Sequence, residues 1–270
     1  MPAERYTHGH HESVLRSHTW RTVENSAAYL VDDLAVGSSV LDVGCGPGTI
    51  TVDIARRVAP GEVIGIDASA AVIAQATTHA AEVGVTNVRF STGDAYALDF
   101  ADDTFDIVHA HQTLQHVANP VAVLREMQRV AKPGGVVAAR AGDYGGMIWF
   151  PALPGLTRWM ETYQTVARSN GGEPDAGRRL RFWAMEAGFT DIASTGTTWC
   201  FADEADRTWW GGMWADRVRD SVFATQAVEQ GVVTVDDIAM MRATWLEWID
   251  APGAWFAIPN GEILCRKRRA

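Results

Sequence analysis

The sequence predicts an α/β chain with a doubly wound, mostly parallel seven-stranded sheet, an N-terminal helical flap and a helical insertion between the last two strands. Three observations lead there. From Ser38 to about Arg140, short β-branched runs alternate with amphipathic stretches, the pattern of βαβ units. The apolar run Val40-Leu41-Asp42-Val43 enters a glycine-rich turn, Gly44-Cys45-Gly46-Pro47-Gly48, that opens a helix. Beyond the fifth strand, a tryptophan-rich stretch separates two further strand-like runs.

Taken in order, Met1 to about Leu34 is polar at first and then helical from Trp20, with Thr19 as N-cap and Val23, Ala27, Leu30 and Val31 on one face. Such a segment could close over the carboxyl edge of the sheet. Strands are expected at Val40–Val43, Val63–Ile66, Val88–Ser91, Phe105–Ala110 and Val136–Arg140. Helical spacing occupies Thr49–Val58, Ala70–Val83 and Val121–Val130, and Lys132-Pro133-Gly134-Gly135 is a stop signal. Helices then follow at Leu156–Val166 and Arg178–Ala187, a strand at Ile192–Phe201, and a last strand at Trp255–Arg266 interrupted by Pro259-Asn260-Gly261. The organisation is therefore a flap (1–35), a ligand-binding core (36–200), a helical lid insertion (203–250) and a final strand completing the core (251–270).

Composition narrows the function classes. With 270 residues and 47% apolar content the chain can bury a large core, and a net charge of −10 gives no general attraction to nucleic acid or anionic lipid. Cys45, Cys200 and Cys265 lack metal or disulfide spacing, which fits a reducing, cytoplasmic setting. No stretch has the apolar length of a membrane span. The basic run Arg266-Lys267-Arg268-Arg269 reads as a solvated chain end. His8, His10 and His11 invite a metal reading, but no matching acidic ligand set accompanies them, so no metal is expected.

Glycine permits positive φ and lets backbone N–H groups approach a ligand, so a nucleotide-like molecule is expected at the glycine turn, although the same glycines could simply make a tight strand-to-helix turn. The spacing GxGxG departs from the dinucleotide fingerprint GxGxxG, which counts against pyrophosphate. Asp67 ends the second strand at the separation expected for a carboxylate that accepts from both ribose hydroxyls; the alternative is an ordinary strand-end aspartate. Gly93-Asp94-Ala95 after the third strand could supply a carboxylate and a backbone N–H to adenine. The three signals occur in order, one per strand.

These motifs, with Phe105-Asp106-Ile107-Val108 and Lys132-Pro133-Gly134-Gly135, resemble those of class I S-adenosylmethionine-dependent methyltransferases, nearest to the ubiquinone/menaquinone-biosynthesis-like small-molecule subgroup. The resemblance is strong over about 38–140 and suggestive over 175–200. It implies a Rossmann-like core that binds S-adenosylmethionine and releases S-adenosylhomocysteine. By it, Gly44, Cys45, Gly46 and Gly48 lie against the methionine part of the cofactor, and Asp42 holds the loop and the ammonium group. Asp67 with Ala68 takes the ribose, and Asp94 with Ala95 the adenine. The main chain at Ala110 contacts the methionine amino group, and His111 faces the methyl. The family often has two histidines where this chain has Gln115-His116, a departure that weakens a catalytic role for the pair.

No catalytic residue is compelled. His111 could act as a base or only pack against the cofactor. Asp143 could orient an acceptor or cap a turn. Tyr6, His11 and Arg21 are candidate flap contacts, with Arg21 a partner for the methionine carboxylate. Of the insertion's Trp209, Trp210, Trp214, Trp245 and Trp248, most should pack, while Trp209 is a candidate substrate contact in a lid over an apolar or aromatic acceptor. The expected partner is thus a small-molecule methyl acceptor, with no nucleic acid and no membrane; a homodimer is compatible. Rival readings are a non-catalytic S-adenosylmethionine-binding sensor or partner subunit, and an NAD-dependent oxidoreductase.

Overall fold

The computed structural model describes residues 19–269, so Tyr6, His8, His10 and His11 lie outside the described residues. The first parallel strands form where predicted: β1 (Val40–Val43), β2 (Val63–Asp67), β3 (Val88–Thr92) and β4 (Phe105–His111). All four residues of β1 are buried, as for a strand covered on both faces. Between them run α2 (Thr49–Val58) and α3 (Ala70–Glu82), preceded near the N-terminus by α1 (Val23–Ser26). Ser69 caps α3 by accepting from Val72 N, and Asn119 caps α4 (Pro120–Val130), whose proline occupies the first turn where no N–H is needed.

The helix stops at Val130 as expected, but β5 is longer than predicted, Ala131–Gly142. Ala131 pairs with Phe105 and Val136 with Ile107, so Lys132–Gly135 bulges out of the ladder, and Gly134 has φ +81°. The stop signal ends a helix and kinks a strand.

The remaining elements are β6 (Ile148–Phe150), α5 (Pro154–Ser169), α6 (Leu180–Glu186), β7 (Asp191–Phe201), α7 (Glu204–Asp220), α8 (Val222–Glu229), α9 (Val235–Asp250) and β8 (Trp255–Arg266). Among the described residues the sheet has eight strands, one more than expected, ordered β3-β2-β1-β4-β5-β8-β6 with β7 also paired to β8. The additional strand, β6, is three residues long, too short to show a sequence period. Because β7 pairs with β8 from Asp191↔Arg266 to Phe201↔Phe256, β6 lies on the other side of β8, in line with β5. Strand β8 runs opposite to β5, β6 and β7.

The expected interruption of β8 at Pro259-Asn260-Gly261 does not occur. Pairing with β5 ends at Asn260 and pairing with β6 begins at Ala257, so Pro259 faces a gap on that side. Its carbonyl accepts from Asp143 N in this gap, which orients its nitrogen the same way, where no ladder donor is required.

The amino-terminal cap also differs. Thr22, not Thr19, caps α1, through a reciprocal box with Asn25, and the chain continues as a 3-10 turn over Ala28–Asp33. Val23, Ala27 and Leu30 do face inward, packing with Val40, Ile50 and Ile54 on one side of the sheet. The helices of the insertion and α5 enclose an aromatic core with Trp159, Trp214, Trp245 and Trp248 fully buried.

Candidate active site

The carboxyl ends of β1–β4 open into a cavity of about 850 Å³ that continues beneath the insertion. Open α/β sheets bind ligands at this edge because strand ends and helix N-termini converge there. In the glycine turn, Gly44, Gly46 and Gly48 have φ of +73°, +56° and +81°. A Cβ on Gly44 would lie 2.3 Å from Thr113 Oγ1, so the position lacks room as well as requiring a left-handed backbone. Gly44 N and Cys45 N both donate to Ile66 O, fastening the turn to β2. Burial, reinforced by Asp42 and Asp67, pushes the Cys45 thiol far up, so it is not a nucleophile.

Asp42 is 2% exposed and both its oxygens are bonded within the protein: Oδ2 accepts from Thr51 Oγ1 at 2.6 Å and Oδ1 from His109 Nδ1 at 2.8 Å. One carboxylate therefore ties the end of β1 to the first turn of α2 and to β4. Asp67 accepts from Gly46 N at 3.2 Å and Ser69 N at 3.0 Å, and Asp94 from Tyr96 N at 2.8 Å. A carboxylate offers about four acceptor positions, so both retain capacity for a ligand.

Of the residues expected to touch the cofactor, Asp42, Gly44, Cys45, Gly46, Asp67 and Ala68 line the cavity. Asp94, Ala95 and His111 line it as well. Gly48 and Ala110 do not. Gly48 is where α2 packs tightly, since its Cβ would meet Phe90 and Ala76, and Ala110 lies in the core beneath the sheet edge. Asp143 is also set apart: its carboxylate is paired with Arg178, accepting from Arg178 N at 3.0 Å and Nε at 2.7 Å. A side chain so occupied closes a turn rather than reaching toward an acceptor.

His111 is held by a residue that the sequence marks only as the end of the fifth strand, at the rim. Arg140, 1% exposed on β5, lies 3.0 Å from His111 Nε2, pairs with buried Glu262 at 3.1 Å and sits 4.4 Å from the Trp199 ring centre. Burial pulls the Arg140 pKa down while Glu262 opposes the change. An arginine only donates, so Nε2 of His111 accepts and the ring proton of the neutral form resides on Nδ1. Gln115 plays a similar part for His116: its Oε1 accepts from Gly142 N, leaving its amide to donate to His116 Nε2 at 3.2 Å. Burial, with Arg21 nearby, pushes His116 down to about 3.

The far half of the cavity is lined by Trp20, Tyr144, Met147, Trp199, Trp209 and Trp210, with Arg21, Arg217 and Ile258 among them. The predicted tryptophans thus divide: Trp214, Trp245 and Trp248 are core, whereas Trp209 and Trp210 face the cavity. Trp210 stacks on Phe201 at 4.4 Å, and Trp209 contacts Trp20 at 5.3 Å. Trp199, Tyr144, Met147 and Arg217 come from β7, the β5–β6 connection and α7, and no local pattern marks them as neighbours. Among the described residues there is no cluster of metal-ligating side chains, and no helix is long and apolar enough to cross a membrane.

Comparison with known proteins identifies the family. A family model described as a methyltransferase domain matches residues 34–175. An uncharacterized methyltransferase of Schizosaccharomyces pombe is 33% identical over 97% of this chain and 96% of its own length. The demethylmenaquinone methyltransferase of Shouchella clausii is 41% identical over 39% of this chain and 45% of its own. A Haemonchus contortus phosphoethanolamine N-methyltransferase, solved with S-adenosylhomocysteine, shares the fold with TM-score 0.57 at 16% identity, covering 92% of this chain and 53% of that one. The [4+2]-cyclase SpnF does so with TM-score 0.54 at 22% identity, covering 96% and 82%.

Proposed function

The chain belongs to the class I methyltransferase family, and from that premise we propose that it transfers a methyl group from S-adenosylmethionine to a small apolar or aromatic metabolite. The observation that carries this reading is the single cavity joining the acid-bearing strand ends to an aromatic chamber. Asp67 would hold the ribose, Asp94 with Ala95 the adenine, and the Gly44–Gly46 turn the methionine portion. Arg21, whose Nη2 donates to Gln112 Oε1 at 3.0 Å, would meet the methionine carboxylate.

When bound, this cofactor supplies a methyl on a sulfonium sulfur, a leaving group that needs no acid. The protein's own contribution is then orientation and exclusion of water. Of the described residues, neither cavity histidine offers an open Nε2 lone pair, since Arg140 and Gln115 donate to them. His116, held near 3, is in addition too weak a base to capture a proton at neutral pH. Positioning without a general base is the mechanism these contacts support, in a cytoplasmic enzyme acting on metabolites.

Calorimetric titration with S-adenosylhomocysteine and with NAD tests the cofactor half. Binding of the first without the second is expected, and the reverse would overturn the reading in favour of an oxidoreductase. Incubating the protein with metabolite extract and isotopically labelled S-adenosylmethionine tests transfer. Cofactor binding with no labelled product would point instead to a sensor.

A further inference from the structure

The two halves of the cavity differ in charge. The carboxylates among its described lining residues, Asp42, Asp67 and Asp94, all stand at or just beyond the ends of β1, β2 and β3, while the other half presents the guanidinium groups of Arg21 and Arg217. Arg217, on α7, is 3% exposed; its guanidinium lies 4.6 Å from the Trp214 ring centre and 3.3 Å from Met213 Sδ. Burial raises the pKa of the Tyr144 hydroxyl, opposed by its hydrogen bond with Tyr163 and then by the charges of Arg217 and Arg21. An anion brought beside Tyr144 would meet the same two charges in a setting where water competes poorly. His116, which also lines the cavity, is held neutral at physiological pH. The walls are flat rings, Trp199, Trp209 and Trp210, suited to a planar ligand.

We propose that the acceptor half of the cavity selects planar aromatic molecules carrying an anionic group, a carboxylate or phenolate, and that Arg217 is the specificity-determining residue for that group. The inference deepens the methyl-transfer reading and rests on it for the identity of the ligand as acceptor. Trp209 and Trp210 would grip the ring, and Arg217 would discriminate the anion from a neutral molecule of the same shape.

The test uses direct binding to the intact protein, with 2-naphthoate as the anionic probe and 2-naphthamide as its neutral counterpart, measured by calorimetry. The carboxylate should bind at least about tenfold more tightly, the worth of one charge-assisted hydrogen bond. Arg217→Met should bring the two affinities together while leaving S-adenosylhomocysteine binding intact, and Arg217→Lys should restore part of the preference. Equal affinities in the unmodified protein, or binding of neither probe, would overturn the proposal without need of any variant. So would a preference that survives Arg217→Met. Loss of S-adenosylhomocysteine binding by the unmodified protein would instead remove the cofactor reading, so the two failures are separable.

Discussion

Arg140 reaches across from β5 to donate to Nε2 of His111 at 3.0 Å, and so decides which tautomer of that histidine faces the cavity. The arrangement turns the most obvious base into a hydrogen-bond donor. His111→Asn, which preserves a donor, should therefore lower kcat by less than about tenfold, below the 10²–10⁴ range of a lost general base. Steady-state kinetics on the identified acceptor check this; a thousandfold loss rescued by raising the pH would restore His111 as the base. Arg140→Met should cost about 3–5 kcal/mol in chemical denaturation because it strands the buried Glu262, and Arg140→Met with Glu262→Met should recover much of that loss.

Gly44→Ala combines two penalties, a side chain at φ +73° and a Cβ 2.3 Å from Thr113 Oγ1. Thr113 cannot simply rotate without giving up its bonds to Val43 O and His111 O, at 3.1 and 3.3 Å. The variant should lose at least about 1–3 kcal/mol of stability and bind S-adenosylhomocysteine more weakly. Thermal unfolding and calorimetry read the two effects separately. Gly44→Ala with Thr113→Gly should recover only the steric part.

How much of this was legible beforehand follows from where each residue's neighbours lie in the chain. Asp42, Asp67 and Asp94 stand at or just after strand ends, and strand-then-turn signals are local, so their convergence could be read from order alone. Arg140 looked like an ordinary strand terminus, because its partners Glu262, Thr197 and Trp199 arrive from two strands near the other end of the sequence. Arg217 was hidden for the same reason, while Tyr144 follows the fifth strand directly and its place on the rim is local. Pro259 misled in the opposite direction: a local breaker was tolerated because β5 and β6 leave a gap opposite it, a tertiary fact.

Asp67→Ala should weaken S-adenosylhomocysteine binding by about 1–3 kcal/mol, the scale of lost hydrogen bonds to a charged acceptor. The variant also removes the carboxylate that holds Gly46 N and Ser69 N. Asp67→Asn, which keeps an acceptor oxygen, separates the two contributions: it should retain thermal stability better than affinity. Unchanged affinity in both variants would remove Asp67 from the site.

The tryptophans of the insertion should respond in two ways. Trp245→Ala empties a fully buried position among Trp159, Trp214 and Phe256 and should cost about 3–5 kcal/mol of stability. Trp209 is only partly buried and lines the cavity, so Trp209→Ala should fold nearly as well, keep S-adenosylhomocysteine binding and lose affinity for an aromatic acceptor. Denaturation curves and calorimetry distinguish the two classes; a Trp209 variant with unchanged acceptor affinity would place the acceptor elsewhere.

His116 makes the fold sensitive to acid. Its imidazole is held neutral, pushed from an ordinary value of 6.5 down to about 3, while in the unfolded chain it is free to take a proton. The unfolded state thus binds more protons between those values, so stability falls as pH drops. Above about 6.5 this contribution is fully present; below it the loss approaches ~1.4 kcal/mol per pH unit and levels off near pH 3. His116→Gln removes the titration, and its stability curve should fall less steeply than that of the unmodified protein between pH 6 and pH 4, the range between those two values. Parallel curves from urea denaturation across that range would mean that His116 accepts a proton in the folded state, and with it that this half of the cavity is not neutral at the histidine.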